Sequence, residues 1–128
     1  MYFVADTHAF LWYLTDSPKL SKRAVDIFNL GDQGKIVIIV PAIVLLECID
    51  ILDKKKVELQ FEEIMFKISQ ANNLILSEIN WGLILEVNQI KGIKDLHDRI
   101  IIATAKIFDA SIISKDKLIK SFYSKTIW

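Results

Sequence analysis

One stretch of the chain, residues 98 to 116, joins an apolar helix pattern to a short apolar strand pattern. Its first part, DRIIIATAKIFD, carries apolar side chains almost all round, which predicts a buried helix opened by Asp98 and Arg99. Residues 110–114, ASIIS, predict a buried strand, and Asp116 follows its C-terminal end. Ligands of open α/β sheets bind in the crevice outside the carboxyl ends of the strands. This unit therefore predicts an α/β protein with a polar site near Asp116.

Strand and helix patterns alternate along the rest of the chain. The β-branched run KIVIIV at residues 35–40, bounded by Gly34 and Pro41, predicts a central strand buried on both faces. The alternation predicts one domain over residues 1–128, with helices on both faces of a parallel sheet of about five strands. The other expected strands are Tyr2–Ala5, Leu74–Leu76 and an edge strand at Lys125–Trp128; the other expected helices are 7–14, 22–31 after a Ser21 cap, 41–54, 61–71, 81–91 after an Asn80 cap, and 116–122.

Composition excludes several classes of protein. Hydrophobic residues make up 52% of the 128 residues, and 16 basic side chains balance 16 acidic ones. No apolar run reaches the roughly 20 residues needed to span a bilayer, and the first residues lack the pattern of a secretory signal. A single cysteine, Cys48, fits a reducing cytoplasm and is expected to be buried. Zero net charge argues against coating nucleic acid by bulk electrostatics, although lysines cluster at residues 54–56 and 115–125.

Two helices carry side chains with definite expected orientations. In the helix after Pro41, Glu47 lies among apolar neighbours, where a carboxylate is costly unless it is paired or bound to a metal. Asp50 has Lys54 four residues on, so both are expected in solvent. In the helix at 61–71, the side chains expected to face the core are Ile64, Phe66 and Ile68.

Four acids, Asp6, Glu47, Asp98 and Asp116, are predicted at or just after the C-terminal ends of strands. Carboxylates that meet in one crevice repel one another and stay ionised together only when a cation neutralises them. Hard oxygen ligands without cysteine or histidine favour Mg²⁺ or Mn²⁺. The reaction class that uses such a cluster is phosphodiester hydrolysis by a metal-activated water. A chain with sixteen acids also brings four near strand ends by chance at some rate.

Four motifs in combination resemble the PIN-domain nucleases, and among them the VapC-type toxins of toxin-antitoxin pairs. They are VADTHAFLWYL at the N-terminus, PAIVLLECI, DLHDRIIIATA and IISKDK. The resemblance implies a three-layer PIN fold with strand order 3-2-1-4-5. It also implies a metal-dependent endoribonuclease whose acidic quartet is Asp6, Glu47, Asp98 and Asp116. The first three would hold Mg²⁺ or Mn²⁺, and Asp116 would complete the site directly or through water.

The resemblance implies further roles near this quartet. Thr7 and Ser114 would place hydroxyl groups near the attacking water or the scissile phosphate, while Arg99 and Lys115 would contact the substrate phosphate. One departure is the tripeptide Asp95-Leu96-His97, because relatives often carry a proline before the Asp-Arg pair. The roles of Asp95 and His97 therefore stay open.

The resemblance also implies partners, namely an RNA substrate, a cognate antitoxin and a second copy of the chain in a homodimer. The aromatic side chains of the first helix, Phe10, Trp12 and Tyr13, fit core packing or a dimer face, or base stacking as in single-strand binders. Two other classes remain as alternatives. One is a receiver-like signalling module, although Asp6 stands alone where receivers carry two acids; the other is a degenerate PIN domain that binds without cutting.

Overall fold

The computed structural model describes every residue from Met1 to Trp128. Five parallel strands form one sheet in the order β3-β2-β1-β4-β5, which confirms the α/β class and the strand order implied by the resemblance. The strands are β1 (Tyr2–Ala5), β2 (Val37–Pro41), β3 (Leu74–Ser77), β4 (Ser111–Ile113) and β5 (Thr126–Ile127). The helices are α1 (Thr7–Leu14), α2 (Lys22–Asp32), α3 (Ala42–Asp53), α4 (Phe61–Gln70), α5 (Trp81–Gln89), α6 (Leu96–Phe108) and α7 (Lys117–Phe122).

The centre of the sheet is buried on both faces. Val4 of β1 pairs with Ile39 of β2 on one side and with Ile112 of β4 on the other, and all three are fully buried. Helix α6 buries six consecutive residues from Ile100 to Ala105, as its apolar pattern predicts. Near-continuous apolar runs are what strands covered on both faces require. A single core cluster of 31 buried residues results, and it fixes the ends of β1 and β4 relative to each other.

Several helix boundaries differ from the predictions by one or two residues, among them the end of α2 and the start of α6. Helix α2 does not end at Gly31 but runs to Asp32. Gly31 thus lies inside the helix, where the lack of a side chain lets β2 pack closely, because a Cβ there would stand 2.9 Å from Cγ1 of Ile38. Helix α6 begins at Leu96, two residues before the predicted start, because the Asp95 carboxylate caps it by accepting from the N–H groups of His97 and Asp98.

The predicted inward orientation of Phe66 is wrong. Ile64 of α4 is fully buried, whereas the side chain of Phe66 is 67% exposed. Two residues along an α-helix turn by about 200°, so Ile64 and Phe66 cannot face the same core. Ile68, one turn after Ile64, packs partly buried against the core cluster.

Several local expectations are confirmed. Cys48 is fully buried, and burial raises the pKa of its thiol to about 12. Asp50 and Lys54 form an exposed ion pair of 2.8 Å. None of the helices combines the length and apolar character needed to cross a bilayer.

Candidate active site

The four acids singled out by the sequence line one crevice at the C-terminal end of the central strands. Asp6 follows β1, and Asp116 follows β4, the strand that pairs with β1. Glu47 reaches the crevice from α3 and Asp98 from the first turn of α6. The residues that line the crevice are Asp6, Thr7, His8, Trp12, Glu47, Asp95, Asp98, Ile101, Lys115, Asp116 and Ile119.

Asp6 is held by the start of the helix that follows it. As the N-cap of α1, it accepts a hydrogen bond of 2.8 Å from the N–H of Ala9 through Oδ1. Burial raises the pKa of Asp6, and Asp116 raises it further. The Ser114 hydroxyl, the Ala9 N–H and His8 lower it. Asp6 is therefore a partly desolvated carboxylate that would gain from a nearby cation.

Glu47 has a contact at each carboxylate oxygen. The Thr7 hydroxyl, itself buried, donates a 2.8 Å hydrogen bond to Oε1. Nδ1 of His97 lies 3.5 Å from Oε2 and 3.8 Å from Oδ1 of Asp95. A carboxylate in an apolar helix needs such partners, and Glu47 obtains them from α1 and from the α6 N-terminus. Its side chain is thus aimed at the crevice.

Asp98 is a second acid of the crevice whose pKa is raised. Its pKa is raised to about 6, mainly by desolvation and then by the negative charges of Asp95, Asp116, Glu47 and Asp6. Each of these charges acts only because the carboxylates lie close together. Asp98 occupies the first turn of α6, where the positive end of the helix dipole favours an acid. The site therefore gathers negative charge that the protein's own side chains do not neutralise.

Asp116 and Lys115 form the exposed side of the crevice. Asp116 caps α7 through hydrogen bonds from Leu118 N–H (2.8 Å) and Ile119 N–H (3.4 Å). The Asp116 N–H donates to the buried Ser114 hydroxyl at 3.0 Å. Ser114 thus lies beneath this turn and shapes it, and it is not among the residues that line the crevice.

Arg99 points elsewhere. Its Nε donates a 2.6 Å hydrogen bond to the Ile93 carbonyl, and Arg99 does not line the crevice. This bond ties the loop before α6 to its first turn. Of the four residues that the resemblance places near the substrate, Thr7 and Lys115 line the crevice, while Ser114 and Arg99 organise its surroundings.

The donor set fits a hard divalent cation. No three side chains of His, Cys, Asp or Glu type converge tightly enough to enclose a metal ion by themselves. Mg²⁺ usually keeps several waters and takes only one or two protein carboxylates, so an open crevice lined by five acids, the four above and Asp95, suits it. The raised pKa of Asp98 has the same implication, because a cation would relieve the mutual repulsion that causes part of it.

The sequence reasoning left two groups at the crevice without assigned roles. His97 and Asp95 stand in the stretch that departs from the resemblance, and both contact the site through the α6 cap. Trp12, which the sequence assigned to core packing, a dimer face or base stacking, lines the crevice together with His8. Their four-residue spacing on a helix that begins directly after Asp6 was the available signal, since such residues share one face.

Comparison with known proteins identifies the family. The model of the PIN domain matches residues 3–125. The chain belongs to the PIN domain family. This confirms the resemblance drawn from the four motifs, and PIN domains are generally nucleases. A comparison with curated protein sequences gives no significant match.

Solved structures share the fold at low sequence identity. VapBC2 from Rickettsia felis, bound to a DNA fragment from its promoter, has a TM-score of 0.74 and 16% identity over 99% of this chain and 96% of that one. A toxin-antitoxin complex from Klebsiella pneumoniae gives 0.68 and 14%, covering 98% and 95%. FitAcB from Neisseria gonorrhoeae gives 0.59 and 16%, covering 96% and 92%. These similarities extend over nearly the whole PIN fold.

Proposed function

We propose that this PIN-domain protein is a metal-dependent endoribonuclease that hydrolyses RNA phosphodiester bonds at the acidic crevice. The observation that carries the proposal is the crevice itself, where Asp6, Glu47, Asp98 and Asp116 meet from four separate segments. Structural ion-pair networks also perturb acidity, but here the pKa of Asp98 is raised first by desolvation and then by like charges, with no basic partner lowering it. Phosphoryl transfer uses such an anionic cluster together with a cation.

Asp6, Glu47 and Asp98 would hold Mg²⁺ or Mn²⁺ between them, one or two by direct contact and the rest through water, and Asp116 would complete the site directly or through water. When bound, the metal would activate a water molecule and offset the charge that develops on the phosphate. The protein's own contribution is positional. Thr7 fixes Oε1 of Glu47, and Ala9 fixes Oδ1 of Asp6, so two carboxylates are oriented before any cation arrives.

The basic and hydroxyl side chains divide into direct and indirect roles. Lys115 lines the crevice and would contact the substrate phosphate. Ser114 would act through the turn that presents Asp116, because its hydroxyl already accepts from the Asp116 N–H. Arg99 would act indirectly, because its Nε holds the Ile93 carbonyl and so fixes the first turn of α6, which carries Asp98.

We propose that the biological partner is a cognate antitoxin protein and that the chain is the toxin of such a pair, acting in the cytoplasm. The structures with similar folds include one described as a toxin-antitoxin complex. A cleft between α1, α2 and α4 offers an apolar surface for a partner, and Trp12 borders both this cleft and the acidic crevice. A protein seated in the cleft would therefore reach the proposed active site.

A homodimer would use the outward face of α5. Trp81 is 72% exposed, and Ile84 and Leu85, one turn further along, are about half exposed. Clustered apolar side chains on the surface mark sites of association. Light scattering should find a dimer for the wild type and a monomer for Leu85→Asp; an unchanged mass for this variant would remove the face from consideration.

The proposed activity is tested by incubating purified protein with RNA in the presence of Mg²⁺, of Mn²⁺ or of EDTA. Cleavage should require the metal, and Asp98→Asn should lower its rate by at least about 100-fold. Asp109→Asn is the matched control, because Asp109 ends the same helix and lies away from the crevice. Metal-dependent cleavage that survives Asp98→Asn would contradict the proposal. Folded protein that never cuts would point to a degenerate PIN domain that binds without cutting.

A further inference from the structure

Two aromatic side chains stand beside the acidic crevice without a part in holding a cation. His8 and Trp12 lie one turn apart on α1, and both line the crevice. Their rings contact edge to face, with centroids 5.5 Å apart. The neighbours of Trp12 in the helix differ from it, because Phe10 and Leu11 are buried in the core. Trp12 is only partly buried and belongs to the surface of the crevice.

Two further contacts of the Trp12 ring are aromatic and cationic. Trp128, at the end of the chain, packs edge to face against Trp12 at 5.7 Å. Nζ of Lys19 lies 5.9 Å from the Trp12 ring centroid, and Lys115 lines the same crevice. Single-stranded nucleic acids are bound by this combination, in which aromatic rings stack on bases while nearby cations follow the backbone.

Because the protein has no net charge, a contact that does not depend on charge would help it to bind RNA. A chain with zero net charge attracts RNA weakly, and the four acids repel phosphate until a cation is present. Stacking of a base does not depend on net charge, so it can hold a nucleotide where electrostatic attraction is absent. A base held at His8 and Trp12 would place its neighbouring phosphate at the acids that line the same crevice.

We propose that His8 and Trp12 form a nucleobase-stacking subsite that positions one unpaired base of the RNA next to the scissile phosphate. The proposal rests on the ribonuclease activity proposed above and adds the part of the substrate that the site recognises. Because every base has a π-face, this subsite selects unpaired nucleotides over paired ones and tolerates different base identities.

The test compares two ligands of equal backbone and equal charge, a ten-nucleotide RNA of mixed sequence and a ten-residue abasic ribophosphate chain. Affinities are measured by fluorescence anisotropy in the Asp98→Asn background with Mg²⁺ present, so the RNA stays uncut. Trp12→Ala should weaken RNA binding by roughly 5- to 150-fold and leave the abasic chain unchanged. Trp12→Phe should keep most of the affinity. Phe122→Ala, at a partly exposed aromatic that does not line the crevice, should change the affinity for neither ligand.

Equal losses for both ligands in Trp12→Ala would show a structural role and overturn the proposal, as would no loss for either. A second measurement uses intrinsic fluorescence, with Trp81→Phe and Trp128→Phe leaving Trp12 as the only tryptophan. Mixed RNA should quench it and the abasic chain should not; equal quenching or none overturns the subsite. Cleavage by the wild type is scored separately. If the wild type cleaves RNA but its binding does not depend on the bases, only the stacking subsite is contradicted. If its binding depends on the bases but it does not cleave RNA, only the proposed activity is contradicted.

Discussion

The two sides of the interior strand β2 differ in what they leave exposed. On the β1 and β4 side, the strands are covered on both faces, and their C-terminal ends carry acids. On the other side, β3 forms the edge, and Ile75 and Leu76 are 39% and 47% exposed. The strands on both sides have similar apolar sequences. The difference lies in the layers above them, because α6 covers the centre while the edge has fewer neighbours.

This contrast separates the protein's stability from its interactions. The buried centre holds the segments that carry Asp6 and Asp116 in fixed relation, as an active site requires. We call β3, α4 and α5 the outer half of the molecule. Their exposed apolar side chains form surface that is available for association. Side chains at the centre should therefore affect folding, those at the acidic edge should affect metal binding, and those on the outer half should affect assembly.

The largest expected effect is on the free energy of unfolding, and it concerns two isoleucines that are paired in register on neighbouring strands. Ile39 of β2 is fully buried, whereas its partner Ile75 of β3 is 39% exposed. Ile39→Ala should lower the free energy of unfolding by about 2–5 kcal/mol because it leaves a cavity. Ile75→Ala should cost less than half as much, since water and partial burial limit the loss. Urea unfolding measures both, and equal costs would contradict the division between centre and edge.

An intermediate effect, on the affinity for Mn²⁺, is expected when either contact of Glu47 is removed. Thr7→Val keeps the shape of a buried side chain but removes the 2.8 Å hydrogen bond to Oε1. It should weaken Mn²⁺ binding by roughly 10- to 100-fold, as is usual for groups that orient a metal ligand. His97→Ala removes a longer contact of 3.5 Å from a half-exposed ring and should weaken binding less. Calorimetric titration of Mn²⁺ into each variant decides the order, and a larger loss for His97→Ala would reverse it.

The sequence predicted the elements well because their patterns are strong. β-branched runs bounded by glycine and proline located β2, and the apolar character of α6 predicted its burial. The acids Asp6 and Asp116 were predictable for the same reason, since parallel topology carries strand ends to one edge. The order of the strands came from the family resemblance, because alternation alone does not fix which strands are neighbours.

What the sequence did not predict depends on contacts between distant segments or on angles within one helix. The bond from Thr7 to Glu47 joins residues forty positions apart, and the contact of His97 with Glu47 depends on where α6 begins. Asp95 moved that start by capping the helix, which the apolar pattern could not indicate. Phe66 was misplaced because apolar character was counted without the helical angle to Ile64.

The smallest effect is a pH dependence of stability at the acidic edge, where charge works against the fold. The pKa of Asp98 is about 6 in the folded protein, against an ordinary value of 3.8. The fold therefore disfavours the ionised form. Below the ordinary value Asp98 is protonated in both states and has no effect. As pH rises through the window from 3.8 to about 6, the unfolded chain loses its proton first, so the folded state loses stability relative to it.

Asp98→Asn removes this penalty, so without metal it should unfold at a higher temperature than the wild type at pH 8. The gain should be on the order of 1 kcal/mol, because solvent screens a carboxylate that is only partly buried. This gain in stability should shrink as pH falls through 6 and vanish below 4. Thermal unfolding of both proteins in EDTA at several pH values measures it. Asp109→Asn should show no such gain, since its exposed carboxylate pairs with Lys125. A gain for Asp98→Asn that persisted at low pH would mean that packing, not charge, governs this edge.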